Sequence, residues 1–451
     1  MRANPRAAAI EILCQWAASR APVEQVGDQV LRGVAMADQR DRQLVWSLVL
    51  GVIRWQRYLD WVVARFSQHS LAKMKPRTLQ ALRVGIFQLL FFDRVPAAAA
   101  INETVGALKN AGQPKWLTGF VNGLLRNVDR QRATLPGLHG SGDEMAPAIR
   151  FSHPDWLVAR WQKRYGGPRA EAILRVNNKM SPLTLRLETD LVQVDDFISM
   201  LGESGVAAER GRFAPAAVRI DDWRGVVTEL PGYGEGWFQV QDEAAQLVTL
   251  LLAPFGEGRY LDGCAGLGGK TTHLARLLPP AAQVVAVDPS PRRVALLKEN
   301  LARLQLQAGV EVVAGELASL YGQEQSFAGI LIDAPCSGLG VTRRHPDIRW
   351  NRTEEELARY QETQRALLAA AAPLLRPGGV LVYATCSMEP EEDDQVVEHF
   401  LAAHPDFALT DARPSLPAAA AGLVDEAGLL RTAPDLHDLD GFFAARLVKT
   451  A

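Results

Sequence analysis

The chain has 451 residues, too many for one ordinary hydrophobic core, so two or three domains are predicted. Its 48% apolar and 22% charged residues are the balance of a soluble globular protein. The net charge of -2 hides an asymmetry: residues 1–132 carry 19 Lys+Arg against 9 Asp+Glu, a net of +10, and the remainder carries -12. A polyanionic partner for the amino-terminal part follows from that distribution, with a solvated basic helical surface as the bland alternative. The start, Met1-Arg2-Ala3-Asn4-Pro5-Arg6, lacks the apolar core of a signal peptide. No apolar stretch reaches membrane-spanning length, Leu367–Leu375 being short and holding Pro373. A soluble cytoplasmic protein with no membrane partner is predicted.

Residues 5–130 read as all helix, with apolar residues at helical spacing in Ala7–Ala18, Gln43–Ile53, Tyr58–Phe66, Leu79–Leu90, Ala100–Lys109 and Lys115–Val128. Pro22, Pro76, Pro96 and Pro114 punctuate the connections. Trp46, Trp55 and Trp61 fall on the apolar spacing and read as core, as does Cys14 beside Ile10 and Ala17. Periodicity is lost over 131–150, which reads as a linker. A small α+β piece over 151–236 follows. Its predicted elements are a helix at Trp156–Tyr165, a strand at Leu183–Leu187, a helix at Asp195–Ser204 and a strand at Ala217–Ile220.

From 237 to 451 strands alternate with helices, the pattern of a mainly parallel sheet. The predicted strands are Tyr260–Asp262, Gln283–Asp288, Val310–Ala314, Gly329–Asp333, Gly379–Ala384, Phe407–Leu409 and Gly441–Val448. A helix is predicted from Glu354, with Thr353 and Glu356 forming a capping box, and Pro414–Gly422 is predicted as an exposed loop.

The four cysteines, Cys14, Cys264, Cys336 and Cys386, are too widely spaced for a structural zinc site, so no metal is predicted. They suit the free thiols of a reducing compartment. Two share a setting. Cys336 lies in Asp333-Ala334-Pro335-Cys336-Ser337 and Cys386 in Ala384-Thr385-Cys386-Ser387, each just past a short β-branched run. Both thiols are therefore placed at the carboxyl ends of buried parallel strands, where open α/β sheets hold their ligands. A lone cysteine is more often a core filler. The matched pair beside a strand-end aspartate points to nucleophilic thiol chemistry.

The run Asp262-Gly263-Cys264-Ala265-Gly266-Leu267-Gly268-Gly269-Lys270 follows the first strand of this domain and opens a helix. Its glycines allow a tight turn and close backbone approach to a ligand, but the spacing is not that of a phosphate-binding P-loop. The next strand ends in Asp288, where an acid can grip a ribose hydroxyl, so an adenosyl-type ligand is predicted.

These motifs resemble the cytosine-5 RNA methyltransferases that use S-adenosyl-L-methionine. The family loop usually reads Cys-Ala-Ala-Pro-Gly-Gly-Lys, and this chain has Gly266 and Leu267 at its third and fourth positions. Arg343-Arg344-His345-Pro346-Asp347-Ile348-Arg349-Trp350 is similar to the segment after the first cysteine motif in the RsmB (Sun/Fmu) group. Ile101-Asn102-Glu103-Thr104-Val105 and Phe120-Val121-Asn122-Gly123-Leu124-Leu125 resemble a NusB-type RNA-binding fold, and Asp242-Glu243-Ala244-Ala245 the lead-in to the catalytic core.

The resemblance spans nearly the whole chain. It implies a NusB-like all-α bundle over 1–130, a connecting α+β domain, and a Rossmann-like methyltransferase domain. The implied partner is 16S ribosomal RNA, at the cytosine conventionally numbered 967; an oligomer is not implied. It assigns covalent attack on C6 to Cys386, product release to Cys336 and contact with the base edge to Asp333; the place of Lys270 at the loop end suggests that it orients Asp333 or activates a thiol. Cofactor contacts are implied for Cys264 to Lys270, Asp288, Glu316 and Asp333; RNA contacts for Arg343, Arg344 and His345 are expected from the basic character of that segment, with a plain surface as the alternative. The same chemistry on a tRNA, or an inactive NusB-like RNA-binding factor, are the alternatives. A DNA enzyme fits less well, since that class attacks from its Pro-Cys motif.

Overall fold

Helices fill the amino-terminal third of the computed structural model, which describes residues 4–34, 36, 38–136, 145–221, 223, 225–320 and 322–450. Asn4 caps the first helix, Pro5–Ser19, by accepting from the N–H groups of Arg6 and Ala7, and Pro5 occupies a position whose N–H has no helical partner anyway. Six further helices follow, Val23–Arg32, Gln39–Arg54, Gln56–Phe66, Pro76–Phe91, Ala97–Asn110 and Lys115–Gln131. Their apolar faces share one core, against which Cys14, Trp46, Trp55 and Trp61 pack. The helix Val23–Arg32 is not among the segments named above, where Pro22 marks only a connection. Gly27 is there for contact: a Cβ on it would lie 2.2 Å from the Trp46 ring.

The chain divides into two compact units, one of residues 1–179 with 345–353, the other of 180–344 with 354–451. In the first, Arg57 ties the bundle to Asp155 at the head of the helix Asp155–Tyr165, with Nη2 2.6 Å from Oδ2. The segment 345–353 is internal to this unit. Trp350 Nε1 donates to the carbonyl of Ile53 at 2.8 Å, and the wholly buried Arg349 donates to the carbonyl of Asn177 and to Asn178 Oδ1. Of the predicted linker, residues 137–144 lie outside the described residues, and Pro147–Arg150 is a helical turn.

The second unit holds two sheets. The smaller is antiparallel, in the order β2-β3-β1-β4, from β1 (Leu183–Leu187), β2 (Glu209–Arg210), β3 (Ala217–Ile220) and β4 (Phe238–Val240). The helix Val194–Glu203 closes its apolar face through Phe197 and Leu201. The larger sheet contains β5 (Arg259–Asp262), β6 (Gln283–Asp288), β7 (Val310–Ala314), β8 (Phe327–Asp333), β9 (Leu375–Thr385), β10 (Phe407–Thr410), β11 (Leu430–Arg431) and β12 (Phe443–Lys449). Its order is β7-β6-β5-β8-β9-β12-β10, with β11 beside β12. β5 to β9 run parallel, while β12 and β10 are antiparallel additions.

The order reverses between β5 and β8, so the crevice beyond their carboxyl ends is the topological switch point. All seven predicted strands of this sheet are present, with ends shifted by a few residues. The helix predicted from Glu354 starts at Glu356, with Glu355 at its N-cap. Pro414–Gly422 is not an exposed loop throughout: it forms two short 3-10 turns whose Ala420 is fully buried, because Ala and Leu423 turn inward.

Candidate active site

The register of β8 and β9 brings the two cysteine motifs together. Asp333 pairs with Ala384 across the parallel ladder, so residues just past each strand end emerge side by side. The sulfur atoms of Cys336 and Cys386 lie 3.3 Å apart, and both residues are half-buried. The hydrogen bond with Cys386, reinforced by burial, raises the Cys336 thiol well above its usual range. Backbone contact fixes the second loop as well. The N–H of Gly340 donates to the carbonyl of Cys386 at 3.1 Å, and a Cβ on Gly340 would meet the Gly441 carbonyl at 2.1 Å. Only glycine admits that approach.

At the end of β8, Asp333 Oδ2 lies 2.6 Å from Lys270 Nζ, which comes from the start of the helix Gly269–Leu277. The glycine-rich turn leads into this helix. Gly268 holds a left-handed φ of +88° and packs against Leu297, where a Cβ would come within 2.2 Å. An open cleft over the turn is lined by Gln241, Ala245, Asp262, Cys264, Ala265, Gly266, Leu267, Gly269, Lys270 and Asp333. Of the residues named for the cofactor, Gly268, Asp288 and Glu316 do not line it. The Asp288 carboxylate accepts from the N–H groups of Gly266 and Ser290, at 3.0 and 2.8 Å, and so fixes the turn from beneath. Glu316 is exposed beyond β7.

Three cleft residues, Asp262, Gln241 and Ala245, are absent from the sequence-based set. Asp262 had a signal, an acid ending the strand before the glycine turn, as Asp288 ends the next. Its Oδ2 accepts from Thr271 Oγ1 at 2.7 Å, while its buried Oδ1 has no hydrogen-bond partner. Burial pushes its carboxyl up to about 6. An orphaned buried acceptor in such a cleft suits an ammonium or another donor of a bound ligand. Gln241 had no local signal, because it is placed by pairing: its Oε1 accepts from Arg186 of β1 at 2.7 Å, and Arg186 also donates to the carbonyl of Gly269.

Among the residues named for RNA, the guanidinium of Arg343 meets Asp438 and the carbonyl of Met180. Arg344 meets Asp242 and Asp440 at 3.2 and 3.0 Å. His345, in the first unit, has Nδ1 3.0 Å from Glu24 Oε1.

An α/β domain with a glycine-rich turn at its switch point, two adjacent strand-end thiols and a lysine-held aspartate has the framework of a nucleotide-cofactor enzyme. Comparison with known proteins sharpens this class. Residues 249–448 match the family described as 16S rRNA methyltransferase RsmB/F, residues 3–130 the NusB family, and residues 153–226 the RsmF/B-like ferredoxin-like domain. Ribosomal RNA small subunit methyltransferase B of Salmonella paratyphi B is 37% identical over 410 residues, 91% of each chain, and that of Salmonella typhi is equally similar. Among solved structures, PH0851 aligns with a TM-score of 0.81 at 24% identity over 100% of both chains. A methyltransferase homologue from Pyrococcus horikoshii aligns at 0.58 and 26% identity, covering 69% of this chain and 100% of its own. The chain belongs to the RsmB/F family of 16S rRNA methyltransferases.

Proposed function

We propose that this protein methylates C5 of a cytosine in 16S ribosomal RNA, at the position the sequence resemblance implies, using S-adenosyl-L-methionine and a transient bond between Cys386 and C6. The observation that carries this reading is the 3.3 Å approach of the Cys336 and Cys386 sulfurs beside the Lys270–Asp333 pair. The turn from Cys264 to Lys270 and the orphaned Asp262 Oδ1 fit the cofactor, with Asp288 bracing the turn and Glu316 assigned to the adenosyl end by resemblance alone. Bound there, S-adenosylmethionine supplies an electrophilic methyl group that unactivated cytosine C5 is too weak a nucleophile to take.

Addition of the Cys386 thiolate to C6 pushes electron density onto C5 and splits one hard step into easier ones. Asp333 accepts from the amino edge of the base and holds it, while Lys270 keeps the Asp333 carboxylate in place and its ammonium offsets the negative charge that thiolate addition puts on the ring. Once C5 is methylated, its proton passes to solvent water, the C5–H bonding pair re-forms the C5=C6 double bond, and the pair of the breaking Cys386–C6 bond returns to sulfur. Cys336 serves this release. It is kept as a neutral thiol beside Cys386 and can hydrogen-bond the departing sulfur. The basic helical domain supplies phosphate contacts that position the RNA without choosing the base.

The test is to incubate the protein with 16S RNA, free and as small-subunit particle, and map 5-methylcytosine by bisulfite sequencing. One cytosine newly resistant to deamination is expected. Methyl transfer to another atom or base would overturn the reading.

A further inference from the structure

Behind the two thiols lies a fully buried carboxylate, Glu392, that the chemistry above does not use. It accepts from four neutral donors. The N–H and Oγ of Ser337 lie 2.7 and 2.5 Å from its oxygens, Ser387 Oγ 2.6 Å and Gln364 Nε2 3.1 Å. Ser337 follows Cys336 and Ser387 follows Cys386, so one side chain grips the residue after each thiol. Gln364 reaches the same loop from the other side, donating also to the carbonyl of Pro335 at 3.1 Å.

The region around Glu392 is tied to β9 as well. Its carbonyl accepts from Tyr383 Oη at 2.5 Å, and the next carboxylate, Asp393, accepts from Thr385 Oγ1 at 2.7 Å. A buried carboxylate costs several kcal/mol unless its lone pairs are filled, and burial does raise the Glu392 carboxyl. Simple packing of this space needs no charge. A carboxylate is useful where two separate loops must be held to one point, because its two oxygens accept several short, directional bonds at once.

We propose that Glu392 is a positioning residue that sets the separation of the Cys336 and Cys386 sulfurs by clamping the two serines that follow them. The proposal rests on the two-thiol reading above, but the thiol separation can be measured without RNA. Diamide oxidises a close thiol pair: two S–H bonds break, an S–S bond forms, and the two protons and two electrons pass to the reagent's N=N bond. The rate of Cys336–Cys386 closure, read by peptide mass mapping of the full-length protein, therefore reports the geometry directly.

In Glu392→Gln one acceptor oxygen becomes a donor facing serine hydroxyls, and closure is expected to slow by about tenfold or more, since misplacement on the ångström scale has effects of that order. The Ser337→Ala, Ser387→Ala double variant removes both hydroxyl arms and is expected to slow closure too, so it carries the test if the glutamine variant does not fold. In RNA assays either folded variant should lose kcat with S-adenosylmethionine affinity unchanged. Wild-type closure rates in both, even with lowered melting temperatures, would overturn the clamp and leave Glu392 a stability residue. Failure of the thiol reading looks different: Cys386→Ala would then keep its turnover, whatever the closure rates.

Discussion

Lys270 Nζ sits 2.6 Å from Asp333 Oδ2, joining the glycine-rich turn after β5 to the end of β8, from which the Cys336 loop leaves. The ammonium also lies 5.1 Å from the centre of the Phe442 ring, so the lysine stem is held from both sides. The lysine side chain is 9% exposed and the Asp333 side chain 32%, so the ammonium is shielded from solvent while the carboxylate faces the cleft. Removal of the ammonium frees Asp333 to swing away from the base edge. Lys270→Met should lower single-turnover methyl transfer by about 100-fold, and Lys270→Arg should not restore it, since the planar guanidinium cannot take the same place. A Lys270→Met rate close to wild type would mean that Asp333 orients without help.

The two thiols should fail in different ways. Cys386→Ala removes the nucleophile, so methyl transfer stops while S-adenosylmethionine binding, followed by calorimetry, stays near normal. Cys336→Ala leaves attack and methylation intact and stalls release. A denaturing gel of that variant with RNA and cofactor should show a slow-migrating protein–RNA adduct, absent from the double variant. Full multiple turnover by Cys336→Ala with no trapped species would remove the release role.

Asp262 gives a prediction with opposite signs for stability and binding. Its carboxyl is raised to about 6 by burial, so the folded, ligand-free state holds its proton more tightly than the unfolded chain does. The resulting stability is full below the ordinary aspartate range, near 3.8, and is lost as pH rises through about 6. At pH 7.5 the ionised group therefore destabilises the ligand-free protein, and Asp262→Asn should raise its stability by on the order of 1–3 kcal/mol in urea titrations. The same change removes the charge available to a cationic ligand, so S-adenosylmethionine affinity should drop by about tenfold or more. Wild-type affinity should likewise fall as pH is lowered through about 6. A variant that is both less stable and equally tight in binding would exclude this role.

Lys73 and Lys75 are exposed on the basic helical domain. If that domain contacts phosphates, Lys73→Glu with Lys75→Glu should weaken RNA binding on every sequence alike and reduce the slope of log affinity against log salt by about 1–2. An unchanged slope in filter-binding titrations would take these residues off the RNA path.

The sequence alone determined the parts that depend on short-range pattern. Helical spacing marked most of the bundle, β-branched runs marked the parallel strands, and the glycine turn, Asp333, Cys336 and Cys386 stood out because each is adjacent to a recognisable strand end. Tertiary structure decided whatever depends on residues distant in the chain. Gln241 reaches the cleft through Arg186, 55 positions earlier. Glu392 carries no functional reading in the sequence, and only the parallel pairing of β8 with β9 delivers Ser337 and Ser387 to its carboxylate. The basic run from Arg343 to Trp350 reads as a surface for phosphate, yet Arg343 and Arg344 meet buried or half-buried aspartates and Arg349 is enclosed in the helical unit. A charge declares its sign in the sequence, but its partner is chosen by which backbone segments the fold brings within hydrogen-bond reach.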